Sequence, residues 1–457
     1  MQNKNFQEKW QQLLCPMRYG NKQALEELCN ENYIDKARSP FIQDHDRIIF
    51  SDSFRRLAGK TQVHPLSTND HVHTRLAHSL EVASVGRGLG TQYGYFLAEK
   101  GDLPAFIEPY HLGEIVQSAC LAHDIGNPPF GHAGEFAIQE WFNDTNNNEF
   151  IEELGEKIKD FQFFDGNAQG FRVINVVEND RQQGGFKLTY PTLASVVKYP
   201  HNAQQAEKIG KKKFNYFFSE EKIFQEIFQT LGLINNKENP LYLRHPLSYL
   251  MEAADDICYR IIDMEDAREL GILRYEEIQE VIKPIWDLMN IDTVRMREMY
   301  SDRARMSYLR SHVIGVLVQD ILVVSKKHYE KLMQGENILP YMDLASEPIK
   351  AYMKNAKDCF YNVILSDPKK TCLEIGSYSV YKCLLDAFIP AVFMHIKQNK
   401  NMVYRDSRII SLMGVHKPSE NASIYDAYHT VIDFITGMTD SYATFIASQF
   451  AGNGQKI

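Results

Sequence analysis

The stretch LAHDIGNPPFGHAGE, residues 121–135, decides how the rest of the chain is read. An apolar run enters it (Ile115, Val116, Ala119, Cys120, Leu121 and Ala122) with helical spacing. Pro128 and Pro129 then end that helix and turn the chain, because proline lacks an N–H and clashes with the preceding turn. A second helical pattern runs over residues 133–142. His123 and Asp124 finish the first helix and His132 and Glu135 open the second, so four titratable groups flank one corner.

Outward from this corner the same period recurs over residues 76–89, 247–267 and 309–326. Alternating patterns are few; FKLTY (residues 186–190), after the QQGG turn, is the best strand candidate. No repeat of solenoid length is present. The fold class is therefore all-α, a mostly helical core with further C-terminal helices and at most a short β-hairpin. Polar seams fall at residues 143–160, 207–218 and 235–240. They suggest an N-terminal segment (1–45), a catalytic core (46–270) and a C-terminal helical region packed on it (271–457).

Composition narrows the function classes. With 457 residues, 44% hydrophobic and 24% charged, the chain is globular and can bury a large core. A net charge of −9 argues against a surface that grips nucleic acid throughout, though not against a local basic patch. Seven scattered cysteines with no C-x-x-C pair read as reduced thiols of a cytoplasmic protein and exclude a thiolate zinc knuckle. The opening MQNKNFQEKWQQLL is polar without a secretory h-region, and no run of about 18 apolar residues suggests a membrane span.

A lone His–Asp dipeptide is a weak signal, and a plain helix end explains most of them. His78, in RLAHSLEV, is by itself more economically a core histidine. In LSYLMEAADDICYRIIDMEDA (residues 247–267), Asp255, Tyr259 and Asp263 stand at i, i+4 and i+8 on one helical stripe. A solvated acidic face accounts for Glu252, Asp256, Glu265 and Asp266, but less well for Asp255 and Asp263 on so apolar a helix. Taken together, two imidazoles and two carboxylates suit Mn²⁺, Fe²⁺ or Zn²⁺, or Mg²⁺ with more waters.

The set His78, His123–Asp124 and Asp255 resembles the HD superfamily of metal-dependent phosphohydrolases. Further blocks are similar to the bacterial deoxyguanosine triphosphate triphosphohydrolases: FSDSFRRLAGKTQVHPL (50–66), TRLAHSLEVASVGRGLG (74–90), FDGNAQGFR (164–172), LTYPTLASVVKYP (188–200), MEAADDICYRIIDMEDA (251–267) and GMTDSYA (437–443). The resemblance implies hydrolysis of dGTP, or of other dNTPs, to deoxynucleoside and tripolyphosphate, with a metal-activated water attacking the α-phosphorus. It implies a divalent cofactor, Mg²⁺ or Mn²⁺, and a homo-oligomer, a hexamer in some members. It also admits a second site for an allosteric nucleotide or single-stranded DNA.

His132 is the candidate general acid for the departing 5′ oxygen. Glu135, three residues on, would fix its tautomer, against the plainer reading of a first-turn acid on the helix dipole; the resemblance points to the same pair. For phosphate charge, Arg75 shares the helical face of His78, while Lys198 and Tyr199 follow a helix-like segment. Lys213 closes a basic cluster where solvation is the stronger plain reading. The resemblance implies that Tyr259 stacks on the deoxyribose where a 2′-OH would sit, and that Asp263 and Gln62 take the 3′-OH. It places Asn167, beside Asp165, in support of the phosphate or catalytic shell. Arg47, Arg55 and Arg56 suit packing, phosphate or a subunit contact equally. Two other readings compete: an HD phosphohydrolase of monophosphates or cyclic nucleotides, and a nucleotide- or nucleic-acid-binding regulator with a dead site.

Overall fold

The computed structural model describes residues 2–20, 35, 37–67, 69–178, 184–234, 242–398 and 402–454. The seam at 235–240, part of the QQGG turn and Cys29 lie outside them. The helices used below are α1 (Gln2–Leu13), α2 (Pro40–Ile49), α3 (Arg75–Lys100), α4 (Pro109–Ala122), α5 (His132–Asn143), α6 (Gly166–Arg172), α7 (Tyr190–Val196), α8 (Pro246–Glu269), α9 (Asp302–Met333), α10 (Pro368–Ile396), α11 (Ile424–Thr436) and α12 (Asp440–Phe450).

Thr74 starts α3 by accepting a hydrogen bond from the Ala77 N–H, and Gly101, at φ 75, ends it in the left-handed region. A stripe of small residues on α3 lets α4 return antiparallel at close range. A Cβ on Gly90 would lie 2.6 Å from Leu112 O, and one on Gly94 would lie 2.3 Å from Pro109 O. Helix α8 packs across this pair, with Ala254 beside Gly86. It is buried over most of its surface, the acids Asp263, Glu265 and Asp266 included, so these need partners inside the fold.

The apolar interior forms two clusters. One joins α3, α4, α8 and α9 with Trp10 and Leu14 near the N-terminus. The other joins α5 with α10, α11 and α12 around Phe142, Phe161, Phe388 and Tyr428. The clusters interleave along the chain, since the second draws on residues from Phe130 to Phe217 as well as on the C-terminal helices.

Three sequence readings are corrected. FKLTY forms no strand, and the described residues contain isolated bridges only, such as Arg18 with Thr189. Lys187 stands at φ 50, Asp44 accepts from the Thr189 N–H and hydroxyl, and Pro191 opens α7 there. The acids late in α8 are not a solvated face. Asp266 is buried against His73, and Glu265 accepts from Arg310 at 2.6 Å. Helix α4 stops at Ala122, well before the prolines, so His123 and Asp124 sit in the turn that follows.

Helices α9 and α10 are long and apolar enough to cross a membrane by length and composition. Each also buries a face within a cluster: Leu309, Val313, Leu317 and Ile321 from α9, and Leu384, Leu385 and Phe388 from α10. Polar and charged residues interrupt both helices, so neither shows in the sequence as a continuous apolar run.

Candidate metal centre and active site

His78, on α3, is fully buried and turns Nε2 toward Asp255 Oδ1 of α8, 3.1 Å away. His123 comes from the turn after α4. Its Nδ1 donates to Cys120 O at 2.6 Å, which leaves Nε2 free as a ligand atom 3.5 Å from Asp255 Oδ1. Ligand atoms of His78, His123 and Asp255 all lie within 4.8 Å of one another. Donors about 2.1 Å from one ion lie up to about 4.2 Å apart, so this set closes on a cation with small side-chain adjustments. Asp124 borders the cluster, with Oδ1 3.6 Å from His123 Nε2.

Two cations take the outer carboxylate oxygens. Arg75 Nη1 donates to Asp124 Oδ2 at 2.9 Å, and Lys198 Nζ donates to Asp255 Oδ2 at 2.7 Å. Burial pushes the Asp124 carboxyl up, but Arg75, His123 and His78 outweigh it and bring its pKa down to about 2. Two of the candidate phosphate ligands, Arg75 and Lys198, are thus drawn to the carboxylates of the candidate metal centre. The Asn127 side-chain amide also donates to Asp124 Oδ1, a partner the sequence reading missed although it lies only three residues away.

The chain then passes through Pro128 and Pro129 to Phe130 (φ 64) and Gly131 (φ 58, ψ −127) before α5 begins at His132. Only glycine tolerates the second position. A Cβ there would stand 2.7 Å from Arg75 Nη2, so the corner rests on the guanidinium that holds Asp124.

His132 is 70% exposed, whereas Glu135 is 2% exposed. Glu135 Oε2 accepts from His132 Nδ1 at 2.7 Å, and Oε1 accepts from the Gly166 N–H at 2.7 Å. Burial raises the Glu135 carboxyl, but His132 and Lys213 overcome this and hold its pKa at about 2. Lys213 lies 3.3 Å from Glu135 and 3.6 Å from Asp165, so it meets the pair rather than solvent alone. Asp165 caps α6 and accepts from the Asn167 N–H and side-chain amide, and Asn167 O accepts from Asn215 at 3.4 Å. The Tyr199 N–H donates to Asn215 at 2.7 Å, joining that strap to the same wall.

At the far end of the α8 stripe, Asp263 is 2% exposed and neither carboxylate oxygen has a partner. Gln62 Oε1 is likewise buried and unpartnered. Burial raises the Asp263 carboxyl well above its usual range. Tyr259 lies between them and the metal cluster along α8, its ring 5.5 Å from Phe360 and 5.1 Å from Arg260. His73 braces this end. Its carbonyl accepts from the Gln62 N–H and its Nδ1 lies 2.7 Å from Asp266. Burial depresses the imidazole, yet Asp266 and Glu81 raise its pKa to about 10. Arg47 and Arg55 stay apart: Arg47 donates to the Phe186 and Lys187 carbonyls, and Arg55 pairs loosely with Asp52.

Comparison with known proteins gives the family. The HD domain model matches residues 75–185, which include His78, the corner and Asn167 but not Asp255. The chain is 43% identical over 419 residues to a deoxyguanosinetriphosphate triphosphohydrolase-like protein of Pseudomonas aeruginosa (strain LESB58), covering 91% of this chain and 94% of that one. It is 36% identical to a protein of the same name from Synechocystis sp., over 97% of this chain and 99% of the other. A deoxyguanosinetriphosphate triphosphohydrolase of Yersinia pestis (strain Pestoides F) shares 29% identity over 88% and 92%. The chain belongs to the family of deoxyguanosinetriphosphate triphosphohydrolases and their like, built on the HD domain.

Proposed function

We propose that the protein is a divalent-metal-dependent hydrolase that cleaves dGTP, and other dNTPs in proportion to their fit, into deoxynucleoside and tripolyphosphate. The observation that carries this reading is one turn of chain holding both halves of the chemistry. His123 and Asp124 stand at the cluster of metal donors, and eight residues after Asp124 an imidazole backed by a buried carboxylate faces outward. When bound, an Mg²⁺ or Mn²⁺ ion supplies phosphate charge neutralisation and a water of lowered pKa.

The chain's own groups account for the rest. The bond broken joins the α-phosphorus to the 5′ oxygen, water oxygen replaces that oxygen on phosphorus, and the departing alkoxide needs a proton. Glu135, ionised and acceptor-only, holds the Nδ1–H of His132, and as the acid the ring is the doubly protonated imidazolium, whose Nε2–H passes to the leaving oxygen and leaves neutral His132 behind. Arg75, Lys198 and Lys213 bring three cations to the phosphate path. The unpartnered oxygens of Asp263 and Gln62 call for a donor, which a 3′-hydroxyl provides. The Tyr259 ring closes the sugar face at the 2′ position.

The test is product analysis with each dNTP, singly and in mixtures, with Mg²⁺ and with Mn²⁺. Inorganic tripolyphosphate with deoxyguanosine supports the reading; pyrophosphate or orthophosphate as the primary product overturns it. Mixtures also report whether one nucleotide activates hydrolysis of another.

A further inference from the structure

We propose that Asp440, in the GMTDSYA block, is a positioning residue that fixes His132 relative to the metal donors. This rests on the reading of His132 as the leaving-group acid. The backbone corner before α5 holds two successive residues at positive φ, Phe130 and Gly131, a shape that persists only when its surroundings impose it. His132 itself is exposed, so the place of its ring is set by that backbone and by Glu135.

The groups that hold the corner come from far along the chain. Asp440 Oδ1 accepts from the Phe130 N–H at 3.0 Å. The Tyr381 hydroxyl, from α10, donates to Pro129 O at 3.1 Å. Lys60 Nζ donates to Asn127 O and to Thr436 O, both at 2.7 Å. Asp440 does more than brace the corner, because its Oδ2 accepts from the Thr61 N–H at 3.0 Å and the Thr61 hydroxyl at 2.9 Å. One carboxylate, 2% exposed, therefore joins the residue before Gln62 to the residue two before His132. It links the group assigned to the 3′-OH with the group assigned to the 5′ oxygen, the two ends of one sugar. None of its hydrogen-bond partners is His78, His123 or Asp255.

A carboxylate is needed because all three partners are donors. An amide of the same shape must turn its NH₂ toward either Thr61 or Phe130 and lose that side. Asp440→Asn thus breaks the link with almost no change of volume. Thr439→Ala is the control: it removes the cap of α12, whose Oγ1 accepts from the Tyr442 N–H, but none of the corner's partners.

Three quantities are read: hydrogen exchange of the peptide spanning residues 125–135, Mn²⁺ affinity, and kcat and KM for dGTP. In Asp440→Asn the corner should exchange faster, and kcat should fall roughly 10–100-fold with KM and Mn²⁺ affinity within about threefold. Thr439→Ala should keep kcat. The proposal is overturned if kcat in Asp440→Asn is unchanged, if Thr439→Ala loses as much, or if the loss tracks Mn²⁺ affinity. Should Asp440→Asn not fold, Tyr381→Phe removes only the hydroxyl bound to Pro129 and carries the same expectation. A wild-type protein releasing no tripolyphosphate overturns the proposed function instead. The exchange arm then decides the positioning alone, and unchanged exchange refutes it.

Discussion

Gly131→Ala is the most informative single change, because its cost can be assembled from the geometry. At φ 58 and ψ −127 an alanine is strained by about 1–3 kcal/mol. Its Cβ would also stand 2.7 Å from Arg75 Nη2, against 3.4 Å for an ordinary contact, so the guanidinium must retreat by roughly 0.7 Å. That movement weakens a charge-assisted hydrogen bond to buried Asp124, of a kind contributing about 1.5–3 kcal/mol. A combined loss of about 2–5 kcal/mol follows. Unfolding entropy of about 2.1 cal/mol/K per residue over 457 residues makes this a fall of about 2–5 °C in Tm for a single transition. Turnover should suffer more, about 100-fold, because His132 is the next residue and a displacement on the ångström scale is costly. Gly101→Ala is the comparison, since Gly101 shares a positive φ of 75 but meets nothing within 4 Å; it should lose stability through its backbone alone and keep kcat. Calorimetry and tripolyphosphate release measure both effects. A Gly131→Ala protein within 1 °C and about twofold of wild-type kcat would refute the reasoning.

Other changes separate the assigned roles. His132→Ala should retain Mn²⁺ and substrate binding while losing roughly 100- to 10,000-fold in kcat by single-turnover assay. Tyr259→Ala should admit GTP if the ring excludes a 2′-OH, and continued rejection of GTP counts against that role. Lys198→Met removes the cation that competes for Asp255 Oδ2, so Mn²⁺ should bind more tightly by calorimetry while KM for dGTP rises. Asp266→Asn tests the His73 pair. The folded His73 pKa is raised to about 10, so the pair stabilises fully below about 6.5 and progressively less from there to pH 10. The Tm deficit of Asp266→Asn should therefore be greatest at pH 6 and shrink toward pH 10.

The features legible in the sequence are those that repeat locally. Helical period exposed α3, α8 and α9, and the i, i+4, i+8 stripe put Asp255, Tyr259 and Asp263 on one face. The three-residue spacing of His132 and Glu135 anticipated their hydrogen bond. What depended on distant packing was not legible. Nothing beside Lys60 in the sequence marks it as buried, yet it is 3% exposed and bonded to two carbonyls. Arg75 and Lys198 suit phosphate by their place in the sequence, and no spacing reveals that each meets a carboxylate of the candidate metal centre. FKLTY misled because two hydrogen bonds from Thr189 to Asp44, 145 residues earlier, outweigh its β-propensity.

The candidate metal donors His78 and Asp255 stand on helices of one apolar cluster and His132 on a helix of the other, and the corner from Ile125 to Gly131 is one of several places where the two meet. On the proposed function, ion affinity and catalytic rate would then respond to different parts of the interior, coupled where Arg75 meets both Asp124 and the corner. Repacking the cluster beneath α5 would move His132 with its helix and change turnover more than cation binding, since His78 and Asp255 pack in the other cluster. A lineage, or a designer, can in this way adjust the enzyme to a new temperature or substrate by accumulating changes in remote side chains around Phe388 and Tyr428, with no residue of the metal centre replaced.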